Sequence, residues 1–240
     1  MNQLIIDEAI TYKRKVAGSF QSITPEDISS KIAGTELIVT TKIDGEYNYL
    51  YFDGQIVTLI NSGGNIKTKL PILDEVTTML KSKNITSLKA TVELHTTNSD
   101  RCRVFDVMSA LSSDMDALSV SAFDLLELDG QEYIENDYTK VLVKLDELFD
   151  GKIVSQKTLA KQELQEYFDD IVVSKSQEGL VVRSTEFPIT YKLKPLHTLD
   201  MAVIGYTKED EKVRELLLSV MDENNNFIQV GIVGNGLDEM

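Results

Sequence analysis

The hydrophobic and polar positions of this 240-residue chain change period along its length, and each change predicts an element. Leu4, Ile5, Ala9 and Tyr12 recur at helical spacing, and Thr24 before Pro25, Glu26 and Asp27 reads as a cap and first turn, so residues 1–34 are predicted helical. From Glu36 to Ser62 the pattern turns β-rich: Leu37-Ile38-Val39-Thr40 is a β-branched run, Tyr47 to Phe52 alternates, and Asp53-Gly54 marks a two-residue hairpin. The alternation puts Tyr47, Tyr49 and Tyr51 on one face, which predicts a half-buried sheet surface, with base stacking as the rival use. After a turn at Ser62-Gly63-Gly64-Asn65, the residues Ile72, Leu73, Val76, Met79 and Leu80 form the apolar stripe of a helix ending near Asn84.

Leu88 to His95 predicts a strand, Phe105 to Leu118 a helix broken at Ser112-Ser113, and Val120 to Leu128 a strand closed by Asp129-Gly130. Two helices follow, one carrying Val141, Leu142, Leu145, Leu148 and Phe149, the other Leu159, Ala160, Leu164, Tyr167 and Phe168. Strands are then predicted at Ile171 to Ser174, Gly179 to Ser184 and Thr190 to Lys194, before a break at Pro195. The remainder reads as strands at Asp200 to Thr207, Leu216 to Met221 and Phe227 to Val233, with Asn224-Asn225-Asn226 as a turn. This mixed order, without regular βαβα alternation, predicts an α+β fold of largely antiparallel sheets flanked by helices.

Composition narrows the chemistry. At 42% hydrophobic residues the chain can bury a sizeable core, and no apolar run approaches the roughly 20 residues of a membrane span. The N-terminus lacks a basic segment and cleavage site, so a cytoplasmic monomer with no membrane partner is expected. Cys102 is the only cysteine, and His95 and His197 lie far apart, which argues against disulfides, zinc clusters and paired-histidine sites; any metal must be carboxylate-bound. The net charge of -15 opposes non-specific nucleic-acid binding, so a nucleic-acid enzyme needs locally basic faces. Lys13-Arg14-Lys15, Lys67 with Lys69, and Arg101 with Arg103 are the candidates.

Thr41-Lys42-Ile43-Asp44-Gly45-Glu46 stands between two predicted strands, where a side chain can face a cleft. A lysine attacks only as the neutral amine, and an ordinary pKa of about 10.4 means that neighbouring cations or desolvation must assist it. Other charges fall at predicted strand ends: Glu93, Glu178, and Lys192 with Lys194, which share a face because they are two apart. The lysines suit a phosphate, and Glu93 and Glu178 suit magnesium bridged to phosphate oxygens.

In order and spacing, Lys42-Ile-Asp44-Gly45, Glu93, Phe123-Asp124-Leu-Leu-Glu-Leu-Asp129-Gly130, Glu178-Gly179-Leu-Val and Lys192-Leu-Lys194 resemble five motifs of the covalent nucleotidyltransferases: ATP-dependent DNA and RNA ligases and messenger-RNA capping enzymes. The longer pieces are most similar to ATP-dependent DNA ligases. The resemblance implies a nucleotidyltransferase (ATP-grasp-like) adenylation domain over residues 1–196. Residues 197–240 would begin an OB-fold domain, too short to close its five-stranded barrel.

It also implies roles. Lys42 would attack the α-phosphate of ATP, Asp44 and Gly45 would shape its loop, and Thr40, Thr41 and Ile43 would line the nucleotide site. Phe123 would stack on adenine, Glu93 would contact the ribose or metal side, and Glu178 would bind Mg2+ (or Mn2+). Lys192 and Lys194 would stabilise charge on the α-phosphate. The implied substrate is nicked DNA, with RNA as the alternative, delivered by another domain or protein; a catalytically inactive nucleotide-binding module is the reading from another class. Two positions depart from the family pattern: Tyr47 and Gly63 stand where ligases commonly have an arginine that contacts nucleic acid.

Overall fold

The computed structural model describes residues 3–98, 102–196, 198–234 and 237; Arg101, His197 and positions 235–236 lie outside the described residues. The chain divides into two compact units, Met1–Pro195 and Leu196–Met240. Among the described residues no helix is long and apolar enough to cross a membrane.

In the first unit the elements are α1 (Gln3–Ala17), β1 (Gln21–Ile23), α2 (Ile28–Lys31), β2 (Glu36–Lys42), β3 (Glu46–Phe52), β4 (Val57–Asn61), β5 (Ile66–Lys67), α3 (Pro71–Ser82) and β6 (Leu88–Thr96). They continue with α4 (Val104–Ser113), β7 (Leu118–Leu128), β8 (Gln131–Glu132), α5 (Tyr138–Phe149), β9 (Gln156–Ala160), α6 (Leu164–Phe168), β10 (Gly179–Ser184) and β11 (Thr190–Leu193). Two sheets result, one ordered β1-β11-β10-β2-β9 and the other β5-β4-β3-β6-β7-β8. Every pairing within them is antiparallel except β1 with β11. The fold is α+β with largely antiparallel sheets, as the element order predicts.

The connection from β2 to β3 is the feature that builds the site. These strands are three residues apart in sequence, yet they belong to different sheets. Ile43, Asp44 and Gly45 therefore carry the chain from one sheet to the other, and Lys42 ends a strand at the crossover.

Burial follows the alternation. Leu37, Val39, Leu180, Val182, Tyr191 and Leu193 face one core with Leu164, Phe168 and Val172. The intervening residues Thr40, Lys42, Val181, Arg183 and Lys192 line a cleft instead. On the second sheet, Leu50, Phe52, Leu59, Val92 and Leu94 pack with α3 and α5 through Leu73, Val76, Leu145 and Phe149. The opposite face, carrying Tyr49 and Ile60, is covered by Ala9, Ile5, Ile6 and Tyr12 of α1. The alternating tyrosines thus lie under a helix, and Tyr49 donates its hydroxyl to Glu8 at 2.7 Å. A base cannot stack on Tyr49 without displacing α1.

Four local expectations are corrected. Residues 1–34 are not uniformly helical, because Gln21–Ile23 leaves the helix to pair with β11. Gln156–Ala160 is an edge strand on β2 rather than a helix start; only Leu159 of its five residues is buried, so little alternation marks it. Ile171 to Ser174 lies in a π-helical segment, Asp169–Ser174, where Val172 packs beside Phe168 and packing overrides β-propensity. The hairpin loop has four residues, 53–56, because Asp53 Oδ1 accepts from the backbone N–H groups of both Gln55 and Ile56 at 2.9 Å.

The second unit is a three-stranded antiparallel sheet of β12 (Ala202–Glu209), β13 (Lys212–Met221) and β14 (Phe227–Val233), in that spatial order. Asp222 Oδ1 accepts from the backbone of Asn224 and Asn226 at 2.8 Å and holds the predicted turn.

Candidate active site

Antiparallel pairing sets Gly179 opposite Lys42 and Val181 opposite both Thr40 and Lys192, which brings residues from three distant parts of the sequence onto one face. Glu178, just before β10, accepts from Lys42 Nζ at 2.5 Å through one oxygen and from Lys194 Nζ at 2.5 Å through the other. One carboxylate therefore ties two of the predicted lysines together. Lys192 lines the cleft beside them and is held below its ordinary pKa by desolvation first, then by the charges of Lys42, Lys194 and Lys13. These cations converge where a phosphate would meet them.

The remaining predicted residues cluster around this group. Thr40, Thr41 and Ile43 line the same cavity, which measures about 200 Å³, and Thr40 Oγ1 donates to Val181 O at 3.5 Å. The Thr41 N–H donates to Ser155 O at 3.0 Å, pinning the end of β2. Phe123 lines the opposite wall. Thr91 pairs with Asp124 and Val92 with Ala122, so Phe123 is the extra residue of a β-bulge, a device that re-aims a side chain. Tyr138 donates its hydroxyl to Phe123 O at 2.6 Å and holds the bulge from behind. Asp44 lies in the crossover, and its charge raises the pKa of Glu93.

Both motif glycines are needed because backbone approaches them. A Cβ on Gly45 would lie 2.3 Å from Leu94 O and 2.9 Å from Glu93 Cγ; one on Gly179 would lie 2.5 Å from Leu193 O and 3.1 Å from Lys194 Cγ. Gly179→Ala is therefore expected to cost about 1–3 kcal/mol of stability by overpacking. It should also displace Lys194 from Glu178. A variant with unchanged melting temperature would contradict this geometry.

Glu93, on β6 opposite Tyr47, lines the cleft and is pushed up to about 7, by burial first, with Glu178 and Asp44 adding to the rise and Lys42 and Lys13 opposing it. The folded protein thus holds a proton that the unfolded chain releases near 4.5, and stability falls as pH rises through the window from 4.5 to about 7. Glu93→Gln should abolish that fall, leaving the variant more stable at pH 8 by at most roughly 3 kcal/mol and little changed at pH 4. Thermal melts across pH check it, and parallel profiles for the two proteins would contradict it.

Glu93 and Glu178 are the carboxylates available to a cation here; among the described residues no group of three His, Cys, Asp or Glu gathers. Such a pair fits magnesium held jointly by protein and phosphate oxygens, the usual arrangement for that ion.

From the sequence Lys13 stands out only as one of a basic run, and several other wall residues, among them Tyr12, Phe20, Tyr138 and Arg183, carry no signal of a site. Lys13 stands 4.8 Å from the ring centre of Tyr47, which itself packs 6.2 Å from Phe123. Tyr12 donates to Asp124 at 2.7 Å, fixing α1 to β7. Phe20, Tyr138 and Arg183 close the far end, with the Arg183 guanidinium 3.7 Å over the Tyr138 ring. Of the other basic candidates, Lys67 is paired with Glu46 at 2.6 Å.

Residues 15–194 match the family model described as ATP dependent DNA ligase domain. A probable DNA ligase of Mycolicibacterium gilvum is 26% identical over 254 residues, an alignment covering 94% of this chain and 49% of that protein. One from Beutenbergia cavernae is 28% identical over 160 residues, covering 58% of this chain and 31% of that protein. This chain spans about half the length of the first relative and a smaller share of the second. Among solved structures, Pmar-Lig_PreS3 superposes with a TM-score of 0.64 at 13% identity, covering 95% of this chain and 60% of that one. The ligase domain of M. tuberculosis LigD does so with a TM-score of 0.52 at 16% identity, covering 92% and 74%. At these identities the structural likeness speaks for the fold.

Proposed function

The chain belongs to the ATP-dependent DNA ligase domain family, and on that premise we propose that it joins nicked DNA through a covalent adenylate on Lys42. The observation that carries the reading is the convergence of Lys42, Lys194 and Lys192 around Glu178 at the end of β2.

In the first step the Lys42 Nζ lone pair forms a P–N bond to the α-phosphorus of ATP. The P–O bond to the bridging oxygen breaks, and its electrons leave with pyrophosphate. Two protons must depart from Nζ, one before attack and one from the new adduct. Glu178 is in hydrogen-bond contact to accept the first, and the second passes to solvent. Lys192 and Lys194 supply positive charge where the phosphate becomes more negative, the kind of preorganised electrostatics that provides the largest share of many rate enhancements. Magnesium, held by Glu93 and Glu178 with phosphate oxygens, would neutralise the polyphosphate. Phe123 offers a ring to the base at the opposite wall.

AMP then passes to a 5′-phosphate, and a 3′-hydroxyl displaces it to seal the nick. Residues 1–196 act as the adenylation domain and 197–240 as the start of an OB-fold domain, a role supported by the antiparallel meander of β12, β13 and β14. Lys13 stands over Tyr47 and brings a cation to the place where ligases commonly carry an arginine. The acidic chain needs such local charge to meet a nick.

The test offers labelled ATP or GTP with magnesium, then nicked duplexes whose broken strand is DNA or RNA. The expected result is an adduct from ATP and transfer to the DNA nick. Transfer to RNA alone would favour the RNA-ligase alternative, and no adduct from either nucleotide would overturn the reading.

A further inference from the structure

Two buried polar atoms facing this cleft have no hydrogen-bond partner: Tyr47 Oη and Arg183 Nη1. Leaving such a group unpaired costs on the order of 1–3 kcal/mol, so their presence in one cavity points to a bound partner. The other tyrosine hydroxyls along the wall are already committed, Tyr138 to Phe123 O and Tyr12 to Asp124.

Position along β10 says which part of a ligand Arg183 meets. Gly179 pairs with Lys42, and Arg183, four residues on, pairs with Ile38. At about 3.3 Å per residue the Arg183 backbone stands roughly 13 Å along the strand from the position opposite Lys42, on the same face. Lys42, Lys192 and Glu93 line the phosphate end of the cleft; Phe20 is shared, its ring centre 5.0 Å from Lys192 Nζ and 5.8 Å from Arg183 Cζ, and Arg183 also lies over Tyr138. Stacking on Tyr138 fixes the guanidinium plane and leaves Nη1 as an in-plane donor. A guanidinium only donates, so its partner must offer a lone pair.

We propose that Arg183 is a specificity-determining residue whose Nη1 donates to N1 or N7 of the purine base, with the Tyr47 hydroxyl as a second polar contact in the same pocket. The inference rests on the nucleotide-binding reading above and goes beyond it by naming what reads the base. A base whose facing edge presents only donors would leave Nη1 unpaired and be rejected. The Arg183 guanidinium lies over Tyr138, whose hydroxyl bonds the Phe123 bulge, so base reading and aromatic stacking are built from one set of contacts.

The test is equilibrium binding of AMP, 7-deaza-AMP and 1-deaza-AMP, which lack a pyrophosphate leaving group and so report binding without chemistry. Wild type should bind one deaza analogue about tenfold to a hundredfold more weakly than AMP, the loss expected for a hydrogen bond to a charged donor. Arg183→Met, with its melting temperature measured alongside, should bind all three alike. Tyr47→Phe keeps the ring against Phe123 and should weaken AMP severalfold while retaining the analogue preference. Equal binding of all three nucleotides by wild type would overturn the proposal, as would an analogue penalty that survives unchanged in Arg183→Met; if Arg183→Met does not fold, the wild-type comparison alone decides. Analogue discrimination in a protein that forms no adduct from ATP would leave this inference standing and sink the ligase reading; equal binding alongside adduct formation would do the reverse.

Discussion

Lys42→Ala is expected to abolish covalent capture of AMP, a loss on the order of 10⁴-fold or more in adduct formation, while the protein remains folded. The size of the effect follows from chemistry: the variant lacks the amine that becomes bonded to phosphorus. The small structural cost follows from the site. Lys42 is about a quarter exposed, and Glu178 keeps Lys194 as a partner when it is lost. A partly exposed ion pair is worth about 1 kcal/mol at most, so the melting temperature should move by a few degrees. Intact-mass measurement after incubation with ATP and magnesium reads the adduct directly. An adenylyl mass increase in the variant would place the nucleophile elsewhere.

Glu178→Gln should come next in size, with adduct formation slowed by roughly 10²–10⁴-fold, the range over which a positioned proton acceptor contributes. The amide keeps the volume of the side chain but removes the charge that now faces two ammonium groups at 2.5 Å. Lys42 then loses the acceptor for its first proton, and one of the two carboxylates suited to magnesium is gone. ATP binding should change less than the rate, because the lost negative charge favours phosphate while the lost magnesium ligand opposes it. Single-turnover rates beside equilibrium ATP binding separate the two effects. An unimpaired rate would show that the proton leaves by another route.

The parts of the site legible in the sequence are those that lie on strands marked by apolar, β-branched runs. Leu37 to Lys42 and Gly179 to Arg183 read as strands in this way, and the two-residue period of a strand gives the cleft face once they are paired. Lys192 and Lys194, two apart, share their side for the same reason. Harder to read was what brings them together. Nothing local in Ile43-Asp44-Gly45 says that the chain changes sheets there rather than closing a hairpin; the difference lies in pairings with β6 and β10, far along the sequence. Gln21–Ile23 was hidden for a related reason, since its parallel partner is β11, about 170 residues later.

The missed wall residues follow the same rule. Tyr12 and Lys13 sit on a helix whose periodicity predicts packing, and only tertiary contact shows that its edge closes the cleft. Arg183 reads as an ordinary strand residue until its guanidinium is found stacked on Tyr138, 45 positions earlier in the chain. Alternation assigns Tyr47, Tyr49 and Tyr51 one face, yet of the three Tyr47 is the one that lines the cleft, while Tyr49 and Tyr51 pack with α1.

Incubating the protein with magnesium and ATP labelled at the α-phosphate, followed by peptide mapping, tests the central claim most directly. The account predicts a single labelled peptide, containing Lys42, with the label on its side-chain nitrogen. Label on Lys192, Lys194 or any other residue, or label found only in free nucleotide, would contradict it.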